Sequence, residues 1–287
     1  MILVKAMSQV NKLNETELLN EIRMKLNKKV LFVEGKTDKT FFEVLQFNTS
    51  QKYEIYTMSS IQTVNCRKSV IEIICKLNSM ETNIEYFGVI DIDDSFIDKE
   101  VINTERLLTY YGARDLENML FQSNIFCIYF SMLNKNNIAE CTKIRNSIYE
   151  VTYPLAIVRY ISRKENLNYS FDNISYKKIC GKKNREEIIE YIISHLSIDK
   201  TQKNKILELI REYSDVISVD PSYICNGHDL LEIASYIINR DTIKINADYY
   251  SPTQIIHSLA LALINPISII QNLIDYCLER KILSPCI

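Results

Sequence analysis

Glycine and proline are scarce: the 287-residue chain holds five of each. That is well under the roughly 12% that average usage gives the pair, and it excludes collagen-like, Gly/Ser-linker and Pro-rich disordered chains. Each of so few glycines is expected where the backbone needs one. An excess of charge of one sign is also missing. Lys+Arg 34 against Asp+Glu 36 leaves a net charge of -2, so any polyanion site must be local, built from a basic patch or a bound metal. The eight cysteines include no C-x-x-C pair, and their spacing fits neither a zinc site nor a redox motif. Most sit in apolar runs, as Cys75 does in IEIICKL and Cys127 in IFCIYF, and are expected to be reduced, buried thiols of a cytosolic protein. Long apolar runs are lacking too. The greasiest segment, 255–274, carries His257, Asn265, Pro266 and Gln271, which reads as buried core helices instead of a membrane span. The opening MILVKAMSQVNK has an apolar stretch too short for a secretory signal, so a soluble cytoplasmic protein is expected. At 47% hydrophobic and 24% charged, the remainder is an ordinary globular chain, long enough for a sizeable core.

The first 120 residues alternate between helix-like and strand-like patterns. Asn14 with Glu17 three residues on predicts a capping box and an amphipathic helix through about Leu26. KKVLFV (28–33), YEIYTM (53–58), IEYFGVI (84–90) and RLLTYY (106–111) read as strands. Between them, 37–46 places Phe41, Phe42 and Leu45 on one helical face, and 61–77 spaces Val64, Ile71, Ile74 and Leu77 helically. ARDLENMLF (113–121) starts a further helix, and beyond 122 the pattern turns helical at 137–167, 186–213, 229–239 and 254–281. The expected organisation is an α/β domain over 1–122 with a central parallel sheet, followed by a mainly α-helical region over 123–287.

Ligands of such sheets bind at the carboxyl ends of the strands. The acids cluster there: Glu34 after the first strand, Asp91 and Asp93 after the third, Asp115 and Glu117 after the fourth. Phosphodiester chemistry needs a cation to neutralise phosphate and activate water, and Mg²⁺ suits it with a few carboxylates plus waters and phosphate oxygens. In an extended strand Asp91 and Asp93 point to one face with Cα atoms roughly 6.6 Å apart. Converging carboxylates repel unless a metal offsets them.

VLFVEGKTD followed by FGVIDIDD resembles the TOPRIM fold of primases, topoisomerases and OLD-type nucleases. YYGARDLENMLF and ICNGHDLLEIA are similar to a narrower TOPRIM-like family that includes AriB, the nuclease subunit of the PARIS anti-phage system. The four motifs run from residue 30 to about 235. The resemblance implies that Glu34 is a metal ligand or general acid/base and that Asp91 and Asp93 are the metal-binding pair. Asp115 and Glu117 match an RD-x-E element, with Glu117 as a further ligand, and Asp38 fits the E-G-x-x-D form of primases. It further implies a Mg²⁺- (or Mn²⁺-) dependent endonuclease that acts as a toxic defence effector. Its expected partners are a nucleic acid substrate (tRNA over DNA), an ABC-type ATPase that restrains it, and a second copy in an active homodimer; no membrane is involved.

Plainer readings stand beside these. An acid in the first turn of a helix, as Asp38 is, is favoured by the dipole alone, and Glu117 suits an exposed helix face. Gly35-Lys36-Thr37 looks like the tail of a Walker A loop, but Val30 occupies the position of its first glycine. DIDDSFIDKEVI fails as a calcium loop, with Phe96 for its glycine and Ile102 for its glutamate. A haloacid-dehalogenase-type phosphohydrolase would use Asp91 as nucleophile, yet Asp94-Ser95 replace the usual Gly-Thr and Glu34 has no role. A non-catalytic TOPRIM-like module that docks on an ATPase is the other alternative. Lys177, Lys178, Lys182, Lys183 and Arg185 form a basic stretch able to hold a nucleic-acid backbone or to stand as a solvated loop. His228, in NGHDLL, is a secondary site candidate whose default is a structural hydrogen bond, while His195 and His257 read as core.

Overall fold

The computed structural model describes residues 14–24, 29–60, 65–80, 82–100, 102, 104–128, 138–216, 219–241, 251–263 and 273–286. By compactness the chain divides into two units, one formed by 1–91, 102–109 and 266–287, the other by 92–101 and 110–265. The change of texture near 122 falls within the second of these.

In the first unit α1 (Glu15–Arg23) carries the expected capping box. Asn14 accepts from the Glu17 N–H at 3.0 Å and Glu17 accepts from the Asn14 N–H at 2.8 Å. The apolar runs become β1 (Lys29–Val33), β2 (Tyr53–Thr57), β3 (Glu85–Ile90) and β4 (Leu107–Tyr110), with α2 (Lys36–Leu45) and α3 (Cys66–Asn78) as crossovers. β1 pairs in parallel with both β2 and β3, and β3 pairs in parallel with β4. A strand that the sequence pattern did not announce, β5 (Leu283–Pro285), completes the order β2-β1-β3-β4-β5. The Cys286 N–H donates to Leu107 O at 3.0 Å, and Thr109 Oγ1 lies 3.2 Å from Ser284 Oγ.

Side-chain alternation along the strands divides the core. Val30, Phe32, Tyr86, Ile90 and Leu107 share a buried cluster with Leu18 and Ile22 of α1 and with Val70, Ile73, Ile74 and Leu77 of α3. Gly88 permits this layer to close: a Cβ there would stand 2.8 Å from both Val70 Cγ1 and Ile74 Cγ1. On α2, Phe41, Phe42 and Leu45 are buried as their spacing predicts. The helix at 61–77 begins, within the described residues, at Cys66; Val64 lies outside them, as do 1–13, 25–28 and 264–272. Cys75 departs from expectation. The buried stripe of α3 passes through Ile74 and Leu77, which turns Cys75 outward and leaves it exposed. Cys127, Cys141, Cys180, Cys225 and Cys277 are buried.

Among the described residues, the second unit consists of helices and turns apart from Tyr110 at the end of β4. It contains α4 (Ser95–Asp98), α5 (Leu116–Gln122), α6 (Ile138–Lys164), α7 (Tyr176–Cys180), α8 (Arg185–His195), α9 (Lys200–Val216), α10 (Gly227–Asp241) and α11 (Pro252–Leu263). The last helix, α12 (Leu273–Glu279), belongs to the first unit. α10 packs on α5, α6, α7 and α11, while α6 also packs on α8 and α9, burying Ile148, Leu155, Ile192, Leu230 and Ile237. Neither histidine read as core is fully buried. His257 is exposed on α11, opposite Ile255, Ile256 and Leu259, and His195 is half-buried at the end of α8 with Nδ1 2.9 Å from Tyr191 O. Among the described residues no helix is long and apolar enough to cross a membrane.

Candidate functional site

Glu34 follows β1 and Asp91 follows β3, and these two strands are neighbours in the sheet. Parallel registry therefore brings the two residues to the same carboxyl edge. The Asp91 N–H donates to Glu34 Oε1 at 2.8 Å across 57 residues of chain. The Glu34 backbone is held as well, its carbonyl accepting from the Ser59 N–H at 3.1 Å and from Thr57 Oγ1 at 3.2 Å. Both acids are half-buried, which keeps the carboxylates reachable on a rigid base. Asp38 serves its own helix, where its Oδ2 accepts from the Gly35 N–H at 2.9 Å and closes the first turn of α2.

Asp93 does not continue an extended strand. β3 ends at Ile90, and Asp93 adopts left-handed backbone with φ 52°, so the two-residue spacing no longer sets both acids on one strand face. Instead Asp93 joins a cluster in the helical unit built around Arg114, a residue sequence reasoning passed over although it stands in the ARDLENMLF motif. The Arg114 side chain is only 3% exposed; Nη1 lies 2.6 Å from Asp94 Oδ1 and Nη2 lies 3.2 Å from Asp93 Oδ1. Arg163 grips Asp94 from α6 through two hydrogen bonds, Nε to Oδ2 at 2.7 Å and Nη2 to Oδ1 at 2.9 Å. Burial pushes the Asp94 pKa up, but Arg163 and Arg114 outweigh it and hold this carboxyl below its ordinary value. For Arg114, burial works against the charge, and Asp94, Asp93 and Asp115 together reverse that and raise its pKa.

Asp115 is the N-cap of α5 and is almost fully buried. Its Oδ1 accepts from the Asn118 N–H at 2.9 Å and from Asn118 Nδ2 at 2.8 Å, while Oδ2 accepts from the Gly227 N–H at 2.9 Å. Burial raises its pKa, partly countered by those N–H donors and by Arg114. These bonds join the RD-x-E and NGHD segments, which meet at Gly227. A Cβ on Gly227 would stand 2.5 Å from Glu117 Oε2 and 2.8 Å from both Asp115 Oδ1 and Glu117 Cβ. Glu117 is therefore half-buried against a backbone, where a surface helix acid would be exposed.

In the NGHD segment the buried contacts are made by Asp229, next to His228. Asp229 is 1% exposed, lies 2.6 Å from Arg159 Nε through Oδ2, and accepts from Tyr176 at 2.7 Å, tying α10 to α6 and α7. His228 is exposed, with its ring set edge-on to Tyr176 and its backbone N–H donating to Asn226 Oδ1. Lys177 and Lys178 lie on α7, whereas Lys182, Lys183 and Arg185 line a cavity at the start of α8.

Among the described residues no group of three or more His, Cys, Asp or Glu side chains is arranged to hold a metal ion. Glu34 and Asp91 put two acidic residues at the ends of neighbouring strands. That fits Mg²⁺, which commonly takes one or two carboxylates from protein and completes its shell with water and substrate phosphate. Asp93 is engaged by Arg114 instead. No family model matches the chain, and no curated protein matches it.

Proposed function

We propose that this chain is a divalent-metal-dependent nuclease of the TOPRIM type. Its proposed role is that of a toxic effector in anti-phage defence, restrained by an ABC-type ATPase and active as a dimer, with tRNA favoured as substrate. The observation that carries the nuclease reading is the Asp91 N–H to Glu34 hydrogen bond, which joins the acids of the two TOPRIM-like motifs at one sheet edge. The defence role, the partner and the tRNA preference rest on the motif resemblance.

Mg²⁺ (or Mn²⁺) bound by Glu34 and Asp91 would neutralise the phosphate and lower the pKa of a coordinated water. The chain's own part is positioning. The Asp91 N–H orients the Glu34 carboxylate, and the Ser59 and Thr57 bonds fix its backbone, so the glutamate reaches substrate without reorganising. Where Glu34 does not ligate the ion, it would serve as the base that takes a proton from an attacking water or hydroxyl. The absence of a Walker A glycine at Val30 fits a division of labour in which a partner binds ATP.

The test is cleavage of tRNA, other RNA and DNA by purified, partner-free protein with Mg²⁺, comparing wild type with Glu34→Ala. Cleavage that disappears in Glu34→Ala with the fold intact supports the reading. All three substrates remaining intact overturns it. A docking module would instead show no Mg²⁺- or Mn²⁺-dependent thermal shift and would keep its biological effect in Glu34→Ala.

A further inference from the structure

The helical unit contains a cavity of about 780 Å³, lined by the end of α5, the middle of α6, the start of α8 and the turn at Pro221. That volume lies within the roughly 300–1,000 Å³ common for small-molecule sites. Its lining carries Arg145, Lys182, Lys183 and Arg185 against the carboxylates Glu150 and Asp220. A local excess of positive charge in a chain of net charge -2 marks the cavity for an anion.

The neighbouring geometry narrows the ligand. Asp220 is occupied within its own turn, accepting from the Ser222 N–H at 2.9 Å, from Ser222 Oγ at 2.7 Å and from Gln122 Nε2 at 3.0 Å. Arg145 is positioned by donating to Gln122 O at 3.1 Å, which fixes its guanidinium at the wall. Lys183 is exposed, and Lys182 is half-buried with Nζ 5.3 Å from the Tyr191 ring. Tyr153, half-buried in α6, lies under the Arg185 guanidinium at 5.3 Å, so a planar aromatic–guanidinium pair forms part of the wall. Cations suit phosphate, and a tyrosine ring beside a guanidinium suits a nucleobase.

We infer that this cavity binds a nucleoside phosphate, its phosphate held by Lys182, Lys183 and Arg145 and its base stacked on the Tyr153–Arg185 pair. The ligand is a free nucleotide or one nucleotide unit of a single strand, which present the same chemistry. The inference uses only residues of the helical unit and does not depend on the acids at the sheet edge.

The test is calorimetric titration of the full chain in EDTA, so that cleavage cannot contribute. The probes are 5′-AMP, adenosine, inorganic phosphate and a single-stranded octaribonucleotide. Saturable binding of 5′-AMP or of the octamer, at least tenfold tighter than of adenosine or phosphate alone, is expected. It should weaken at least tenfold both in Lys182→Ala/Lys183→Ala and in Tyr153→Leu, with circular dichroism unchanged. A mononucleotide binding as well as the octamer identifies a free nucleotide, and a clear preference for the octamer identifies a strand; either supports the proposal. No saturable binding of any probe, or binding unaffected by these substitutions, overturns it. So does affinity for inorganic phosphate equal to that for 5′-AMP.

Discussion

Replacing Gly227 with alanine adds one methyl group at the point where two distant motifs touch. That carbon would stand 2.5 Å from Glu117 Oε2, and 2.8 Å from Glu117 Cβ and from Asp115 Oδ1. The Glu117 carboxylate can swing aside, but its Cβ moves only with α5, and the Asp115 carboxylate is held by Asn118. Overpacking of this kind costs about 1–3 kcal/mol. Retreat of the backbone would stretch the Gly227 N–H bond to buried Asp115, and hydrogen bonds to charged groups are worth about 1.5–3 kcal/mol. Since relief of one strain comes at the expense of the other, the expected loss is about 2–4 kcal/mol, within the combined range of the two effects. Gly181→Ala is the control. Its new carbon would meet only Lys178 O at 3.5 Å and Lys177 O at 3.7 Å, on backbone with φ -86°. There alanine reduces the freedom of the unfolded chain and is expected to stabilise by about 0.4–1 kcal/mol. Urea denaturation followed by circular dichroism measures both. Equal midpoints for the two variants, or Gly227→Ala within about 0.5 kcal/mol of wild type, an ordinary surface effect, would refute the close-approach reasoning.

Arg114→Leu leaves Asp93, Asp94 and Asp115 without their buried cation and should cost about 3–5 kcal/mol by thermal denaturation. Arg114→Lys should not restore it, because one ammonium cannot replace the forked contacts to Asp93 and Asp94. Because the folded pKa of Asp94 is depressed, its contribution to stability is fully present above the ordinary aspartate value near about 3.9. That contribution is lost as pH falls through the folded value; Asp94→Asn should therefore lower stability at neutral pH and shallow the acid limb of a stability–pH curve. Gly88→Ala, pressed against Val70 and Ile74, should lose about 1–3 kcal/mol, seen as a lower urea midpoint. Asp91→Ala should abolish Mg²⁺-dependent cleavage with little change in melting temperature, since the bond that orients Glu34 comes from its backbone N–H.

Much of the fold was legible because its signals are local. Strands β1 to β4 are short apolar runs, α1 announces itself through Asn14 and Glu17, and α2 buries the face that Phe41, Phe42 and Leu45 define. β5 was not legible: three residues become a strand only because Leu107 and Thr109 supply an edge for them. Exposure also resisted reading wherever an apolar neighbourhood suggested burial, as at Cys75 and His257, since one position around a helix decides which side meets water.

The same division holds for the candidate site. Residue order alone determined that Glu34 and Asp91 end strands of one parallel sheet, because parallel pairing aligns carboxyl ends whatever else the chain does. Tertiary structure decided the rest. It bent Asp93 out of the strand into left-handed backbone and surrounded Arg114 with carboxylates. It also turned Asp115 into a cap, and spent the fewest-atom residue, Gly227, on the contact between segments more than 100 positions apart. Those outcomes depend on which backbones approach closely and which charges lose water, and neither is encoded in the neighbours of any one residue.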